Sequence, residues 1–249
     1  MDKLLAAVSL TALALAVAPA ARAAELTLLV GGGITAPMKE IAPKFEAKTG
    51  HKLEMKFAAT PELIKMATSG NPFDAAVVPV DVYKNADARA KFSAAPIGIA
   101  HVGFGVAVKA GAPKPDISTP DKFKAALQKA QSIATLPESA AGAYVLKVFD
   151  KLGIADEIKP KIKAQKSAPE IPAAVAKGEA ELAIFLANIV TAPGVDYVGP
   201  FPGDLQQDLQ YGGAVAADSK NAAAAKAFLD YMQSPEAAAV FKAKGTTPG

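Results

Sequence analysis

The chain has 249 residues, 51% hydrophobic and 20% charged, with a formal net charge of +3, two His, no Cys and no Trp. That length suits one large domain or two lobes of about 100–120 residues each, and the apolar content excludes a disordered chain. Without Cys there is no disulfide scaffold, thiolate zinc site, catalytic thiol or lipid-bearing N-terminal Cys. Two His leave little scope for His-based metal or acid–base chemistry, and so small a net charge argues against a broad nucleic-acid surface.

The N-terminus reads as an export signal. Lys3 precedes an apolar run over residues 4–18, then Pro19 and the small-residue sequence Ala21-Arg22-Ala23-Ala24. A basic start, a short apolar segment and an A-x-A-like site predict a cleaved signal peptide over residues 1–23. The run is shorter than the roughly 20 residues that span a membrane, so an anchor is the weaker reading. The expected product is a soluble protein in the periplasm. Of two Arg, Arg22 falls in the signal and Arg89 remains. A bidentate Arg clamp on an anion would have to use Arg89. It sits in the polar run Lys84-Asn85-Ala86-Asp87-Ala88-Arg89, which reads as a solvated face.

Strands and helices then alternate. Residues 26–30 form an apolar run ended by Gly31-Gly32-Gly33, a buried strand and a sharp turn. Met38, Ile41, Ala42 and Phe45 have the spacing of one helix face, and Gly50 ends that helix. In residues 52–57, Leu53, Met55 and Phe57 alternate with Lys52, Glu54 and Lys56, which predicts a half-buried strand. Pro61 opens a short helix stopped by Gly70-Asn71-Pro72, and residues 75–80 are another buried strand. This order argues for right-handed crossovers and a largely parallel sheet.

Farther on, residues 99–108 are apolar with Gly103 and Gly105 inside. Thr119-Pro120-Asp121 starts a helix. A strand is expected over 133–136. A helix follows over 140–152, with Val145, Val148, Phe149 and Leu152 on one face. Further strands are expected over 182–186, 195–198 and 211–217. Asn221 and Ser234-Pro235-Glu236 open two final helices.

Catalytic motifs are nearly absent. There is no G-x-S-x-G elbow, no H-x-x-x-H and no acidic metal cluster. His51 reads as a surface residue and His101, in an apolar run, as a buried structural one. Gly31, Gly33 and Ala36 fit a relaxed dinucleotide loop, but the next strand closes on Phe57 and lacks the acidic residue that would hold a ribose. Asp81 ends a strand, yet its carboxylate would repel an anion. What remains is three turns entering helices: Gly33-Ile34-Thr35, Ala59-Thr60-Pro61, and Glu138-Ser139-Ala140-Ala141-Gly142. Each sets unpaired backbone N–H groups and a positive helix end beside a hydroxyl or small residue. Such turns lie at the carboxyl ends of strands, where ligands bind in open α/β sheets. Plain N-capping explains any one of them. Three together predict a cleft for a small anion, with Gly33, Ile34, Thr35, Thr60, Ser139 and Ala140 as ligand-binding candidates and no metal or cofactor.

Several stretches resemble the periplasmic molybdate-binding proteins of ABC transporters. They include Leu28-Leu29-Val30-Gly31-Gly32-Gly33-Ile34-Thr35, Ile41-Ala42-Pro43-Lys44-Phe45-Glu46, and the segment from Gly105 to Ile117. Gly178-Glu179-Ala180, Tyr197-Val198-Gly199-Pro200-Phe201-Pro202 and Ser234-Pro235-Glu236-Ala237-Ala238 continue the match in the same order. The resemblance implies an α/β, type II-like periplasmic binding protein with two lobes. Mixed, mostly parallel sheets would be flanked by helices and joined by a two-segment hinge. Lobe one would hold residues 24–101 and 212–249, lobe two residues 102–211. The hinge would lie near residues 100–105 and Tyr211-Gly212-Gly213.

The chain departs from the family where ligand is held. Family members usually carry Ser in the first turn, where this chain has Gly33. The second turn normally has Ser flanked by Gly, where this chain has Thr60 and Pro61. A Tyr near the last lobe-two strand is replaced by Ile184-Phe185-Leu186-Ala187-Asn188, which adds Asn188 to the candidates. Two hydroxyl donors are thus missing or moved. The expected cargo is a small anion, a molybdate-like oxyanion or a small organic carboxylate, passed by a monomeric receptor to the membrane permease of an ABC transporter. The alternatives are a small periplasmic dehydratase or lyase on the same fold, for which no acid or base stands out, and a ligand-presenting sensor subunit.

Overall fold

The computed structural model describes residues 23–249, so the expected signal segment, apart from Ala23, lies outside the described residues. β1 (Glu25–Gly31) buries Leu26, Leu28 and Val30 completely. α1 (Thr35–Thr49) covers the sheet with Met38, Ile41, Ala42 and Phe45, all buried, and stops at Gly50. Gly50 has φ +77°, the left-handed value at which a residue without Cβ carries no steric penalty. β2 (Lys52–Ala58) alternates exposed and half-buried as its sequence predicts. α2 (Thr60–Thr68) and β3 (Ala75–Pro79) complete a unit in which β1 pairs in parallel with both β2 and β3. A 3-10 turn over Val80–Lys84 and the short α3 (Ala86–Arg89) follow. Neither has a strong pattern of its own, and sequence periodicity does not reveal them.

β4 (Ile97–Lys109) is the longest strand. After it come α4 (Pro120–Lys129), capped by the Thr119 hydroxyl, β5 (Ile133–Thr135), α5 (Ala140–Lys151), α6 (Ala155–Ile158) and β6 (Ile162–Ala164). Next are α7 (Glu170–Ala176), β7 (Leu182–Leu186), α8 (Ala187–Val190), β8 (Val195–Pro200) and β9 (Asp208–Val215). α9 (Ala222–Met232), α10 (Pro235–Ala243) and β10 (Thr247–Pro248) end the chain. The sheet order is β2-β1-β3-β9-β4-β7-β5-β6, with β8 and β10 also paired to β4.

The ladders explain the two-lobed shape. β1 with β2 and β3, and β5 with β6 and β7, are parallel, as strand–helix–strand crossovers require. Every antiparallel ladder involves β4 or β9. β4 changes partner midway: residues up to Gly103 pair with β9, and residues from Phe104 pair with β7. At that changeover the Gln206 side chain accepts from Phe104 N–H (3.0 Å) and donates to Phe104 C=O (2.9 Å). One helix-covered sheet thus becomes two lobes that share their central strands.

Three local expectations change. His51 is buried, not superficial. Its Nδ1 accepts from Ala24 N–H at 3.0 Å, and its ring stacks on Phe45. His101 is half-buried and pairs with Asp208 at 2.5 Å, because outward-facing positions of β4 and β9 meet there. Asn221 precedes α9 without capping it. Its side-chain amide instead donates to Glu25 C=O and Asp74.

Candidate functional site

A cleft of about 320 Å³ opens between the lobes. Lobe one contributes Gly32, Gly33, Thr35 and Lys39 from the start of α1, Phe57 to Thr60 from the start of α2, and Pro79. Across it stand Leu136 and Ser139 to Ala141 at the start of α5, Lys166 to Pro169 before α7, and Phe185 with Leu186 on β7. Leu209 and Tyr211, on β9, close the floor. Three helices of nine residues or more therefore begin at one cavity. Their positive ends, and the first-turn N–H groups that no cap takes up, give it an anion-favouring potential without any charged side chain.

The charged side chains point the same way. Lys39 and Lys166 line the cleft, and no Asp, Glu or His does so among the described residues. Neither ammonium group forms an ion pair with a described residue. No described group of three or more His, Cys, Asp or Glu could hold a metal ion.

The candidate residues separate by what their polar atoms already do. Thr35 Oγ1 donates to Gly32 C=O at 2.8 Å. Ser139 Oγ donates to Leu136 C=O at 2.8 Å and accepts from Gly142 N–H at 2.9 Å, so this hydroxyl is a helix cap whose proton is used. Thr60 Oγ1 accepts from Ala140 N–H at 3.1 Å, which joins the lobes directly and leaves the Thr60 proton unassigned. Ala140 reaches the cleft but gives its N–H to Thr60. Gly33 lines the cleft, whereas Ile34 is fully buried behind it. Asn188 is not on the cleft wall. Its side-chain amide donates to Gly33 C=O at 2.8 Å, a second bridge between lobes, while its Oδ1 is buried without a partner. Gly33, Thr35, Thr60, Ser139 and Ala140 thus come together at the cavity; Ile34 and Asn188 stand behind it.

Sequence reasoning misses Lys39, Lys166 and Tyr211. Lys166 precedes Ser167 and Glu170, whose side chains bond at 2.8 Å while Glu170 also accepts from Lys166 N–H. That S-x-x-E spacing is a capping-box signal. Arg89 is exposed on α3, and Asp81 pairs with Lys84 at 2.7 Å; neither lines the cleft.

An α/β fold with a cleft between lobes that share central strands defines a periplasmic-type binding protein. The model of the bacterial extracellular solute-binding protein family matches residues 26–247, and the chain belongs to that family. It is 35% identical over 233 residues to an aconitate isomerase of a Pseudomonas species, covering 90% of this chain and 87% of the relative. It is 29% identical over 238 residues to the molybdate-binding protein ModA of Azotobacter vinelandii, covering 91% of each. The solved structure of the Azotobacter vinelandii periplasmic molybdate-binding protein superposes with a TM-score of 0.74 at 18% identity, covering 89% of this chain and 98% of that one. No helix among the described residues is long and apolar enough to cross a membrane.

Proposed function

We propose that this protein is a periplasmic receptor for a small organic polycarboxylate of the aconitate type, which it captures between its lobes and passes to the permease of an ABC transporter. The observation that carries this reading is the cleft's charge. Two lysines without ion-pair partners face a cavity with no acidic side chain among the described residues. Its volume lies at the lower end of small-molecule sites, about 300–1,000 Å³. The walls suit carbon as well as oxygen: Phe57, Leu136, Phe185, Leu186 and Leu209 would pack on a carbon skeleton while lysines and helix N-termini hold carboxylates. An inorganic oxyanion would leave those apolar walls unused. On this reading residues 1–23 are the export signal. Lobe one is 24–101 with 212–249, lobe two is 102–211, and closure is a hinge motion about β4 and β9.

Calorimetry on the purified protein tests this with cis-aconitate, trans-aconitate, citrate, molybdate and sulfate. The expected result is one site at micromolar affinity or better for a carboxylate. Tight molybdate binding with no response to carboxylates would overturn it.

The relative that is 35% identical favours a second reading, turnover of aconitate. Isomerising aconitate adds and removes no atoms. It needs one group to take a proton from the methylene carbon and return it at the far allylic carbon. Lysines and hydroxyls are the lining groups able to do so, since the cleft offers no carboxylate or imidazole among the described residues. Proton NMR of cis-aconitate with catalytic amounts of protein decides. Appearance of the trans isomer supports the enzyme, and unchanged substrate at stoichiometric occupancy supports the receptor.

A further inference from the structure

The floor of the cleft holds a group that the helix-start pattern does not predict. Tyr211 lies in the middle of β9, paired to Pro79 on β3 and to Ala100 on β4. It is 2% exposed, yet it lines the cavity. The other strongly buried phenol of that region, Tyr83, donates to Gly212 C=O at 3.2 Å. The Tyr211 hydroxyl makes no hydrogen bond among the described residues, and it is not one of the fully enclosed unpartnered oxygens, so it opens onto the cavity. A hydroxyl that opens onto the cavity without a protein partner is free to donate to a ligand there, which a Phe of the same shape could not do. An unpaired donor in such a place is explained by a partner that arrives with the ligand.

The triple-glycine turn is shaped around this side chain. A Cβ on Gly31 would meet the Tyr211 ring at 2.7 Å and Pro79 Cδ at 2.9 Å, and a Cβ on Gly33 would meet the Tyr211 hydroxyl oxygen at 2.2 Å and Leu186 Cδ1 at 2.6 Å. A Cβ on Gly32 would make only ordinary contact, with Ala58 C=O at 3.5 Å. None of the three has a positive φ. Close approach, and not backbone conformation, therefore accounts for Gly31 and Gly33. The atom pressed over Gly33 occupies the side-chain space of the first turn.

We infer that Tyr211 is a ligand-binding donor of the cleft, its hydroxyl bonding a carboxylate oxygen from the shared central strand in place of a side chain at position 33. Burial raises the affinity of the phenol for its proton, so the hydroxyl remains a neutral donor throughout the physiological range. Together with Thr60, whose proton is also unassigned, it supplies two O–H donors on the lobe-one and floor sides of the cavity. Because β9 is one of the strands the lobes share, the contact also couples ligand occupancy to lobe position.

This inference rests on the anion-cleft reading, and its test separates the two. Calorimetry compares wild type and Tyr211→Phe against cis-aconitate, trans-aconitate, citrate and molybdate, with thermal denaturation of both ligand-free proteins. The expected result is at least a tenfold loss of affinity in Tyr211→Phe, with a ligand-free melting temperature equal to or above wild type. Equal affinity in the two proteins would overturn the inference and leave the carboxylate reading intact. A Tyr211-dependent response to molybdate alone would overturn the carboxylate reading and keep the donor role. Wild type that binds none of the four would overturn both. Stability gives a ligand-free check of the steric half. Gly33→Ala should destabilise the protein strongly, and less so in a Tyr211→Phe background, where the oxygen at 2.2 Å is gone and the Leu186 methyl at 2.6 Å remains. Equal destabilisation in both backgrounds would contradict it.

Discussion

The Asn188 side-chain amide donates to the Gly33 carbonyl oxygen at 2.8 Å, tying the start of α8 to the turn that begins α1 across 155 residues of sequence. With the Thr60–Ala140 bond it makes a pair of direct bridges between lobes. Both act on the segments that form the cavity, so under the proposed hinge motion lobe closure and site geometry would be one event.

Removing the amide should loosen that closure. Asn188→Ala forfeits about 0.5–1.5 kcal/mol of hydrogen bonding in the closed form, partly offset because the buried, unpartnered Oδ1 goes too. The ligand-free protein should show a larger radius of gyration by small-angle scattering and a faster ligand off-rate. An unchanged radius and off-rate would show that the bridge does not hold the lobes.

The two cleft lysines should act through charge. Lys39→Gln and Lys166→Gln are each expected to raise the Kd for a polycarboxylate about three- to tenfold, as one partly solvated charge pair is lost. Each should also flatten the dependence of Kd on ionic strength. Calorimetry at two salt concentrations checks both effects. A Kd insensitive to salt in wild type would count against a charge role.

The aromatic cluster under α1 should dominate stability. Phe45 packs on Phe228 (5.2 Å), Tyr231 (5.5 Å) and His51 (5.9 Å). Phe45→Ala leaves a cavity between α1, α9 and the chain after α1, at a cost of about 3–5 kcal/mol. That is a large share of a typical net stability of about 5–15 kcal/mol. Thermal denaturation should show a drop of roughly 10 °C, and a shift of only a degree or two would mean that the cluster repacks.

Acid should weaken one link in the same region. The backbone N–H of Leu53, bonded to Glu46 at 2.8 Å, holds the Glu46 carboxyl below its ordinary value near 4.5. Partial burial opposes this and Lys52 assists. A lowered folded-state value means that the stabilisation is complete above about pH 4.5 and is lost as pH falls through the lower folded value. Glu46→Gln should therefore lower the melting temperature at pH 7 and flatten its decline below pH 4.5. Parallel curves for the two proteins would contradict this.

Much of the fold was legible because it rests on short-range pattern. The strict alternation from Lys52 to Phe57, the stripe Met38, Ile41, Ala42 and Phe45, and the Thr119-Pro120 and Ser234-Pro235 helix starts each encode an element within a few residues. The missed elements, α3 with the turn before it, α6, β6, α7 and α8, are short segments with too few residues for periodicity to register. His51 and His101 exchanged their expected environments because burial depends on what covers a residue. For His51 that is Ala24 and Phe45, for His101 the facing strand with Asp208.

The sequence by itself determined the alternating α/β elements, the scarcity of catalytic side chains and the helix-start turns that meet at the cleft. These follow from residue type and spacing along the chain. Tertiary structure alone decided which hydroxyls are free. Ser139 and Thr35 spend their protons on nearby backbone, while Thr60 keeps its own because Ala140 approaches from the other lobe. It also explained Gly33, whose missing side chain reads as a turn until Tyr211, 178 positions later, and Leu186 fill the space. Hydrogen-bond saturation and excluded volume belong to atoms brought together by the fold, and no local pattern in the chain records them.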